Sequence, residues 1–263
     1  MENKHAMRHE LEALVRHAGR ILMSYYNKPL HRTYKNHQGF ATEADVAVER
    51  YLIEQLHKLM PEASIYAEES GASGNQYADY SWIIDPLDGT TNFAQTLPYF
   101  CISVALTYKG EPQIGVVYQP LLDELFYASK GDGASLNGVP IAVSAPHNLK
   151  ETMLVVGLPY AKNAVFMTLL DDIKRITPYT YAFRHFGAAA LDCAYVACGR
   201  LDGVFLASLK WWDVAAGMLL IQEAGGVVTD FEGKPIDASY ATFVAGGPMV
   251  HKHLHNLLQT EGS

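Results

Sequence analysis

Acidic residues come directly after two short apolar runs of this sequence. Glu68 follows the run 64–67, and Asp85 follows the run 81–84. Short apolar runs of this kind predict buried strands, and ligands favour the carboxyl ends of strands in α/β sheets. These positions predict that both carboxylates lie at one edge of a sheet, although an acidic pair such as Glu68-Glu69 is by itself more often part of a solvated loop.

The nine residues 85–93, DPLDGTTNF, combine two aspartates with turn-forming residues. Gly89 permits a tight turn and a close approach of the backbone to a ligand. Thr90 and Thr91 suit the start of a helix, where free N–H groups and the positive end of the dipole attract an anion. The flanking carboxylates suit Mg²⁺ that bridges to phosphate oxygens. The string therefore predicts a phosphate site, and the alternative is an ordinary Asp-Gly turn whose acids cap a helix.

Two further aspartates have plausible structural roles of their own. Asp213 follows two tryptophans and precedes an apolar run, so it is a candidate helix N-cap. Asp45 lies three residues after Thr42, which is the spacing of a capping box. Two unit charges about 4 Å apart repel by roughly 4 kcal/mol at an effective dielectric of 20, so converging carboxylates require cations or protonation. The combination indicates a magnesium site that activates water for hydrolysis of a phosphate monoester.

Two amphipathic helices and a hairpin are predicted for the first part of the chain. Apolar residues at helical spacing in 11–22 indicate one helix, and a second begins at Thr42 and runs until Pro61. The runs 99–108 and 113–118 flank a Lys109-Gly110 turn, which predicts an antiparallel hairpin. The segment 131–138 is rich in turn residues, and the pattern changes after it.

Strands and helices alternate in the second part of the chain, which is typical of an α/β unit. We therefore expect an N-terminal α+β half at 1–147 and a C-terminal α/β half at 148–263. The predicted order is strand 153–156, helix 165–176, strand 182–186, helix 188–198, strand 203–206 and helix 214–224.

Composition narrows the function classes. The 263 residues carry a net charge of −8 and are 49% hydrophobic. Nucleic acids and membrane surfaces bind basic faces, so neither is an expected partner, and no apolar run reaches membrane-spanning length. Small molecules or metal ions fit this charge better as partners. The three cysteines are an odd number and lie in apolar stretches, which favours a reduced, cytoplasmic protein.

The segments 68–70 (EES), 85–93 (DPLDGTTNF) and 212–217 (WDVAAG) are together similar to the signatures of the inositol monophosphatase family. Their order and spacing match along nearly the whole chain. The resemblance implies a layered αβαβα sugar-phosphatase fold, dependence on two to three Mg²⁺ ions, lithium sensitivity and commonly a homodimer.

The resemblance also implies roles for individual residues. One ion would be held by Glu68, Asp85 and the Leu87 carbonyl. A second ion would be held by Asp85, Asp88 and Asp213. A third ion would share Glu68 with the first. Thr90, paired with Asp45, would orient the nucleophilic water, which also contacts Glu68. The substrate side would comprise Asp88, the turn Gly89, Thr90 and Thr91, the loop Gly187, Ala188 and Ala189, and Leu206.

Leu206 departs from the family pattern. Seven residues before the motif aspartate, members that hydrolyse inositol phosphates typically carry a glutamate that binds substrate hydroxyls, whereas this chain has an aliphatic side chain. Inositol monophosphatase activity is the first expectation, and histidinol phosphate, fructose 1,6-bisphosphate, NADP or a nucleotide 3′(2′)-phosphate is the alternative substrate. A regulatory binding protein that retains the metal site is the alternative of another class.

Overall fold

The computed structural model describes residues 2–35, 39–75, 77–238 and 242–259. Its helices and strands follow in the order α1 (Glu2–Met23), β1 (Arg32–Tyr34), β2 (Phe40–Thr42), α2 (Glu43–Leu59), β3 (Ser64–Ala67), β4 (Gly71–Ser73), β5 (Tyr80–Asp88), α3 (Thr90–Ala94), β6 (Cys101–Tyr108), β7 (Glu111–Gln119), β8 (Glu124–Ser129), β9 (Gly133–Leu136), β10 (Val139–Pro140), β11 (Met153–Gly157), α4 (Ala164–Ile176), β12 (Ala182–Arg184), α5 (Ala189–Ala197), β13 (Gly203–Ala207), α6 (Trp211–Glu223), β14 (Val227–Thr229), β15 (Thr242–Gly246) and α7 (Pro248–Gln259).

The two predicted N-terminal helices are confirmed. Leu11, Val15 and Leu22 on one face of α1 have no exposed surface, which is the result that the helical spacing of apolar residues predicts. Thr42 caps α2, because its side chain accepts the Ala44 amide and its own amide donates to Asp45, as in a capping box. The helix ends before Pro61, as expected.

The described strands form an eight-stranded sheet in the order β10-β9-β8-β7-β6-β5-β3-β4, a five-stranded sheet in the order β12-β11-β13-β15-β14, and the small pair β1-β2. The predicted hairpin is confirmed as the antiparallel pair β6 and β7. The segment 131–138, which is rich in turn residues, contains β9. A four-residue strand that begins at Gly133 lacks the apolar run that identifies strands in sequence.

Helices and sheets alternate in five layers. In β5, Trp82 and Ile84 pack with α1 and α2, whereas Ile83 between them packs with α5 and α6. The helices α5 and α6 lie between the two sheets, and α4 and α7 cover the outer face of the five-stranded sheet. This is the layered αβαβα fold that was expected. The division at residues 147 and 148 stays a prediction, since the core around α5 and α6 draws residues from both sides of it.

The loops that follow β11, β12 and β13 lie at one edge of the second sheet. These three strands are parallel to one another, so their carboxyl ends point the same way. Within the described ranges, no helix is both long enough and apolar enough to cross a membrane.

Candidate active site

The two sheet strands that carry the first acids are neighbours. β3 pairs with β5 in parallel, with Ala67 opposite Ile84, and the Glu68 amide continues this pairing by donating to the Ile84 carbonyl at 3.1 Å. Glu68 and Asp85 are therefore brought side by side, as the sequence predicts. The strand does not end at Asp85, however: it continues through a register shift to Asp88, so the expected strand end lies three residues too early.

Asp85 is the residue on which the acids converge. It is 2% exposed, and its Oδ1 accepts the Leu87 amide at 3.0 Å. Burial raises the pKa of Asp85 well above its usual value, and the negative charges of its acidic neighbours raise it further. Those neighbours are Glu68, Asp88 and Asp213. Four acids from three separate segments of the chain thus interact electrostatically with one another.

Asp213 reaches the site from the first turn of α6. It was expected to cap this helix, but α6 begins two residues earlier and Lys210 occupies the N-cap position. The Asp213 carboxylate instead accepts the Lys210 amide at 2.6 Å, which is the reciprocal bond of a capping box. Burial raises the pKa of Asp213 well above its usual value, with Asp88 and Glu68 adding to the effect.

Asp88 connects two predicted parts of the site. These are the turn Gly89, Thr90 and Thr91, here called the phosphate turn, and the loop Gly187, Ala188 and Ala189, here called the substrate-side loop. Its Oδ2 accepts the Ala190 amide at 2.7 Å, and the Cys101 thiol lies 3.7 Å away. Burial raises the pKa of Asp88 to about 6, although the amide of Ala190 partly offsets this. The hydrogen bond holds the start of α5, and with it the predicted loop Gly187, Ala188 and Ala189, beside the acids.

Thr90 contacts two groups that bear on its predicted role. Its Oγ1 lies 3.1 Å from Asp45 Oδ1 and 2.9 Å from the Leu87 carbonyl oxygen. A hydroxyl has one hydrogen to donate and two lone pairs that accept, so these contacts fix its direction and leave it able to accept from a water molecule. Asp45 is fully buried, and this burial raises its pKa to about 6.

Two residues that were not singled out in the sequence hold the Glu68 loop. Lys35 Nζ lies 2.8 Å from Glu68 Oε1 and 2.5 Å from Glu69 Oε1. Burial lowers the pKa of Lys35, but the two ion pairs outweigh this and raise it above the usual value. The buried carboxylate of Glu49 accepts the amides of Glu69 and Ser70 at 2.8 and 2.9 Å. The loop is therefore fixed from both sides.

The chemistry of the donor set fits Mg²⁺. Carboxylates and a backbone carbonyl are the hard oxygen ligands that this ion prefers, and the acids around Asp85 share a negative field that a cation would relieve. In the described part of the chain no three side chains of His, Cys, Asp or Glu stand in a ready-made ligand arrangement. Lys35 engages Glu68, while backbone amides engage Asp88 and Asp213.

Magnesium is expected to stabilise the folded protein more at pH 8 than at pH 5. In the absence of metal, the raised pKa values of Asp45 and Asp88, each about 6, mean that the folded chain holds protons more tightly than the unfolded chain. That stabilisation is fully present below about pH 4 and is lost as the pH rises to about 6. Cation binding replaces these protons, so its effect grows over the same range.

Thermal unfolding with excess Mg²⁺ and with a chelator measures this difference. At a hundredfold excess over the dissociation constant we expect a rise in Tm of about 5–10 °C at pH 8 and a smaller rise at pH 5. An equal rise at both pH values would contradict the coupling between these carboxyls and the cation.

Gly89 brings the phosphate turn against the segment that precedes β6. Its φ of +90° lies in the left-handed region, and a Cβ there would lie 3.0 Å from the Tyr99 carbonyl oxygen and 3.2 Å from Ala188. Both the backbone conformation and the space thus require glycine. The close approach places the turn directly beside the substrate-side loop.

Gly89→Ala is expected to lower the free energy of unfolding by at least about 2 kcal/mol, since strain and a backbone clash add. Gly110→Ala is the matched control, because Gly110 has a φ of +82° and no atom within 4 Å of the added Cβ. It should cost about 1 kcal/mol. Urea unfolding of both variants checks the difference, and equal losses would show that the close approach contributes nothing.

Asn92 and Thr91 connect the phosphate turn to the substrate-side loops. The Asn92 side-chain amide donates to the Tyr99 carbonyl at 2.8 Å and to the Phe186 carbonyl at 2.7 Å. The Thr91 hydroxyl lies 3.0 Å from the Tyr160 hydroxyl. Asn92 belongs to the DGTTNF string, which indicates it in sequence, whereas nothing in the sequence pattern singles out Tyr160.

Leu206 lies inside the second sheet. It has no exposed surface, and its Cδ2 fills the space above Gly157, where a Cβ would lie only 2.6 Å away. The residue that was expected to line the substrate side is thus packed in the core and offers no hydrogen-bond acceptor. A Leu206→Glu variant would bury a charge, so it would lose stability as well as alter the site.

Comparisons with known proteins agree with this geometry. A sequence profile of the inositol monophosphatase family matches residues 3–262. The chain is 41% identical over 239 residues to Nus factor SuhB of Escherichia coli, with 90% of each chain covered. It is 38% identical to an inositol-1-monophosphatase of Synechocystis, with 92% of this chain and 84% of the relative covered.

Solved structures show the same fold. The extragenic suppressor protein suhB of Bartonella henselae matches with a TM-score of 0.93 at 34% identity, over 98% of this chain and 100% of that one. An inositol monophosphatase of Anabaena matches with a TM-score of 0.86 at 37% identity, over 97% and 96% of the two chains. The resemblance seen in the acidic motifs is thereby confirmed, and this chain belongs to the inositol monophosphatase family.

Proposed function

We propose that the protein is a Mg²⁺-dependent phosphomonoesterase that hydrolyses a small phosphorylated metabolite. The observation that carries this proposal is the convergence of Glu68, Asp88 and Asp213 on buried Asp85, beside a turn built to receive an anion. A binding site for phosphate alone would gain nothing from four acids, because they would repel it. Acids and phosphate are compatible when cations lie between them.

The proposed ligands are those of the family pattern. One Mg²⁺ ion would be held by Glu68, Asp85 and the Leu87 carbonyl. A second would be held by Asp85, Asp88 and Asp213, and a third would share Glu68 with the first. When bound, the ions supply positive charge to the phosphate oxygens and lower the pKa of a coordinated water. Asp85 is suited to a shared position because all three other acids face it.

The chain itself would position the reacting groups. Thr90, whose hydroxyl is directed by Asp45, would accept a hydrogen bond from the attacking water, and Glu68 would contact the same water. The amides of Gly89 and Thr90, at the start of α3, would donate to the phosphate. On the substrate side lie Asp88, Thr91 and the loop 187–189, which the Ala190 amide and the Asn92 side chain hold in place.

Phosphate release from a panel of substrates tests the proposal. The panel contains inositol 1-phosphate, histidinol phosphate, fructose 1,6-bisphosphate, adenosine 3′,5′-bisphosphate and NADP, each with Mg²⁺ and with a chelator. We expect Mg²⁺-dependent turnover of at least one, and inhibition by submillimolar to millimolar Li⁺, which the family resemblance implies. Absence of turnover on all five would contradict the proposal, and indifference to Li⁺ would contradict a family-like second metal position.

A regulatory role is the second candidate, because the relatives at 41% identity include proteins named Nus factor. Such a role would use the surface of the protein rather than the acids. Lack of Mg²⁺-dependent phosphate release together with retained Mg²⁺ binding would favour this regulatory role.

We further propose that the protein is a cytoplasmic homodimer that does not bind nucleic acid. Sedimentation measures the oligomeric state, and titration with RNA tests for nucleic-acid binding.

A further inference from the structure

Tyr160 lies at the rim of the candidate active site. It follows β11 by three residues, at the edge of the second sheet where the parallel strands end. Its hydroxyl lies 3.0 Å from Thr91 Oγ1, and Thr91 is part of the phosphate turn. The residue is nevertheless 60% exposed, although large aromatic side chains are usually well buried. The hydroxyl of Tyr160 is thus held by a hydrogen bond, whereas most of the side chain is exposed to solvent.

The ring spans the space between two loops of the site. A Cβ on Gly39 would lie 3.4 Å from Tyr160 Cε2 and 3.6 Å from Cζ, so the ring edge lies against Gly39, just before β2. Gly39 is in turn connected to the Glu68 loop, because Lys35 donates its amide to the Gly39 carbonyl and its Nζ to Glu68. Tyr160 therefore closes one side of the phosphate turn.

The loops that form the remaining rim carry no carboxylate to accept hydrogen bonds from substrate hydroxyls. The three loops after β11, β12 and β13, residues 158–163, 185–188 and 208–210, contain no aspartate or glutamate. Phe186 is stacked on Tyr99 with ring centroids 4.5 Å apart, and Leu206 is buried. Buried acceptors select ring hydroxyls, and these loops supply no carboxylate acceptor for a polyol.

We propose that Tyr160 is a specificity-determining residue that holds the planar ring of a heteroaromatic phosphate monoester against its exposed face. This inference rests on the proposed phosphatase function and names the substrate class of that site. The tyrosine hydroxyl is engaged by Thr91, so the ring face is the part of the side chain that remains for recognition. Aromatic faces bind planar rings by offset stacking, and a tethered tyrosine loses little entropy on doing so.

The test compares histidinol phosphate, which carries an imidazole, with inositol 1-phosphate. We expect Tyr160→Leu to lower kcat/KM for histidinol phosphate about tenfold relative to inositol 1-phosphate, the usual size of a lost stacking contact. Tyr160→Phe keeps the ring and should retain most of the preference. Tyr181→Leu is the control, because Tyr181 is 79% exposed and takes no part in the site described above. This variant should leave kcat/KM unchanged for both substrates.

If Tyr160→Leu lowers kcat/KM equally for both substrates, or lowers it for neither, the inference is overturned and Tyr160 is a packing residue only. Equilibrium titrations of the same two compounds with Ca²⁺ in place of Mg²⁺ give a readout without turnover. If the wild type hydrolyses neither compound, the titrations alone decide the inference, and the proposed function fails only if none of the five panel compounds is hydrolysed. Tighter binding of histidinol phosphate that is lost in Tyr160→Leu would support it, and equal binding would overturn it.

Discussion

Asp85→Asn is expected to lower kcat/KM for phosphate release by at least about 10³-fold at saturating Mg²⁺. Asp85 is the acid that the other three face, so the change would weaken both proposed metal positions at once. Asp213→Asn should lower activity comparably, since it would remove the ligand that only α6 supplies. Steady-state phosphate release over a range of Mg²⁺ concentrations measures both effects.

Stability separates a lost metal ligand from a damaged fold. Without metal, Asp85→Asn should raise the Tm, because it removes a buried charge from a repelling cluster. Asp172→Asn is the matched control: Asp172 is also buried, but it pairs with Arg175 in α4, away from the acids. That variant should lose stability and keep its activity per folded molecule. Near-normal turnover of Asp85→Asn would make the proposed ligand set wrong.

Thr90→Ala is expected to lower kcat about 10²-fold while KM changes little. The lost hydroxyl is proposed to orient the attacking water, and this interaction counts mainly in the transition state. Its direction depends on the 3.1 Å contact with Asp45, so Asp45→Asn should reduce kcat in the same sense. Stopped-flow or steady-state measurement of phosphate release gives the two constants separately.

Thr90→Ser tests the same point by rescue. A serine hydroxyl can make both contacts of Thr90, to Asp45 and to the Leu87 carbonyl, so most of the activity should return. A rise in KM with unchanged kcat in Thr90→Ala would instead make Thr90 a residue that binds substrate in its ground state.

The elements that position the site were predictable where local chemistry determines them. The Thr42 capping box, the stop at Pro61 and the strand before Asp85 all follow from short patterns, and the structure contains each of them. The carboxylates could be expected to converge because parallel strands bring their ends to one edge. Asp213 was a candidate from its place before an apolar run, and the family resemblance then assigned it to the second metal position.

Other parts of the site depend on tertiary contacts that leave no local signal. Glu49 is one of several polar residues on α2, and only the fold shows that its carboxylate takes two amides of the Glu68 loop. Lys35 is likewise an ordinary lysine in sequence. The N-cap assignment of Asp213 was wrong because the cap and the third helical position share the same preference for acids.

The hydrogen bond between Asp88 and the Ala190 amide joins residues that are 102 positions apart in the chain. A ribosome that adds about 5–20 residues per second would present Ala190 on the order of ten seconds after Asp88. During that interval the nascent chain would already carry two strands with acids at their ends but no α6 to complete the cluster. The acidic cluster would thus be completed late in synthesis, only after α6 has been made.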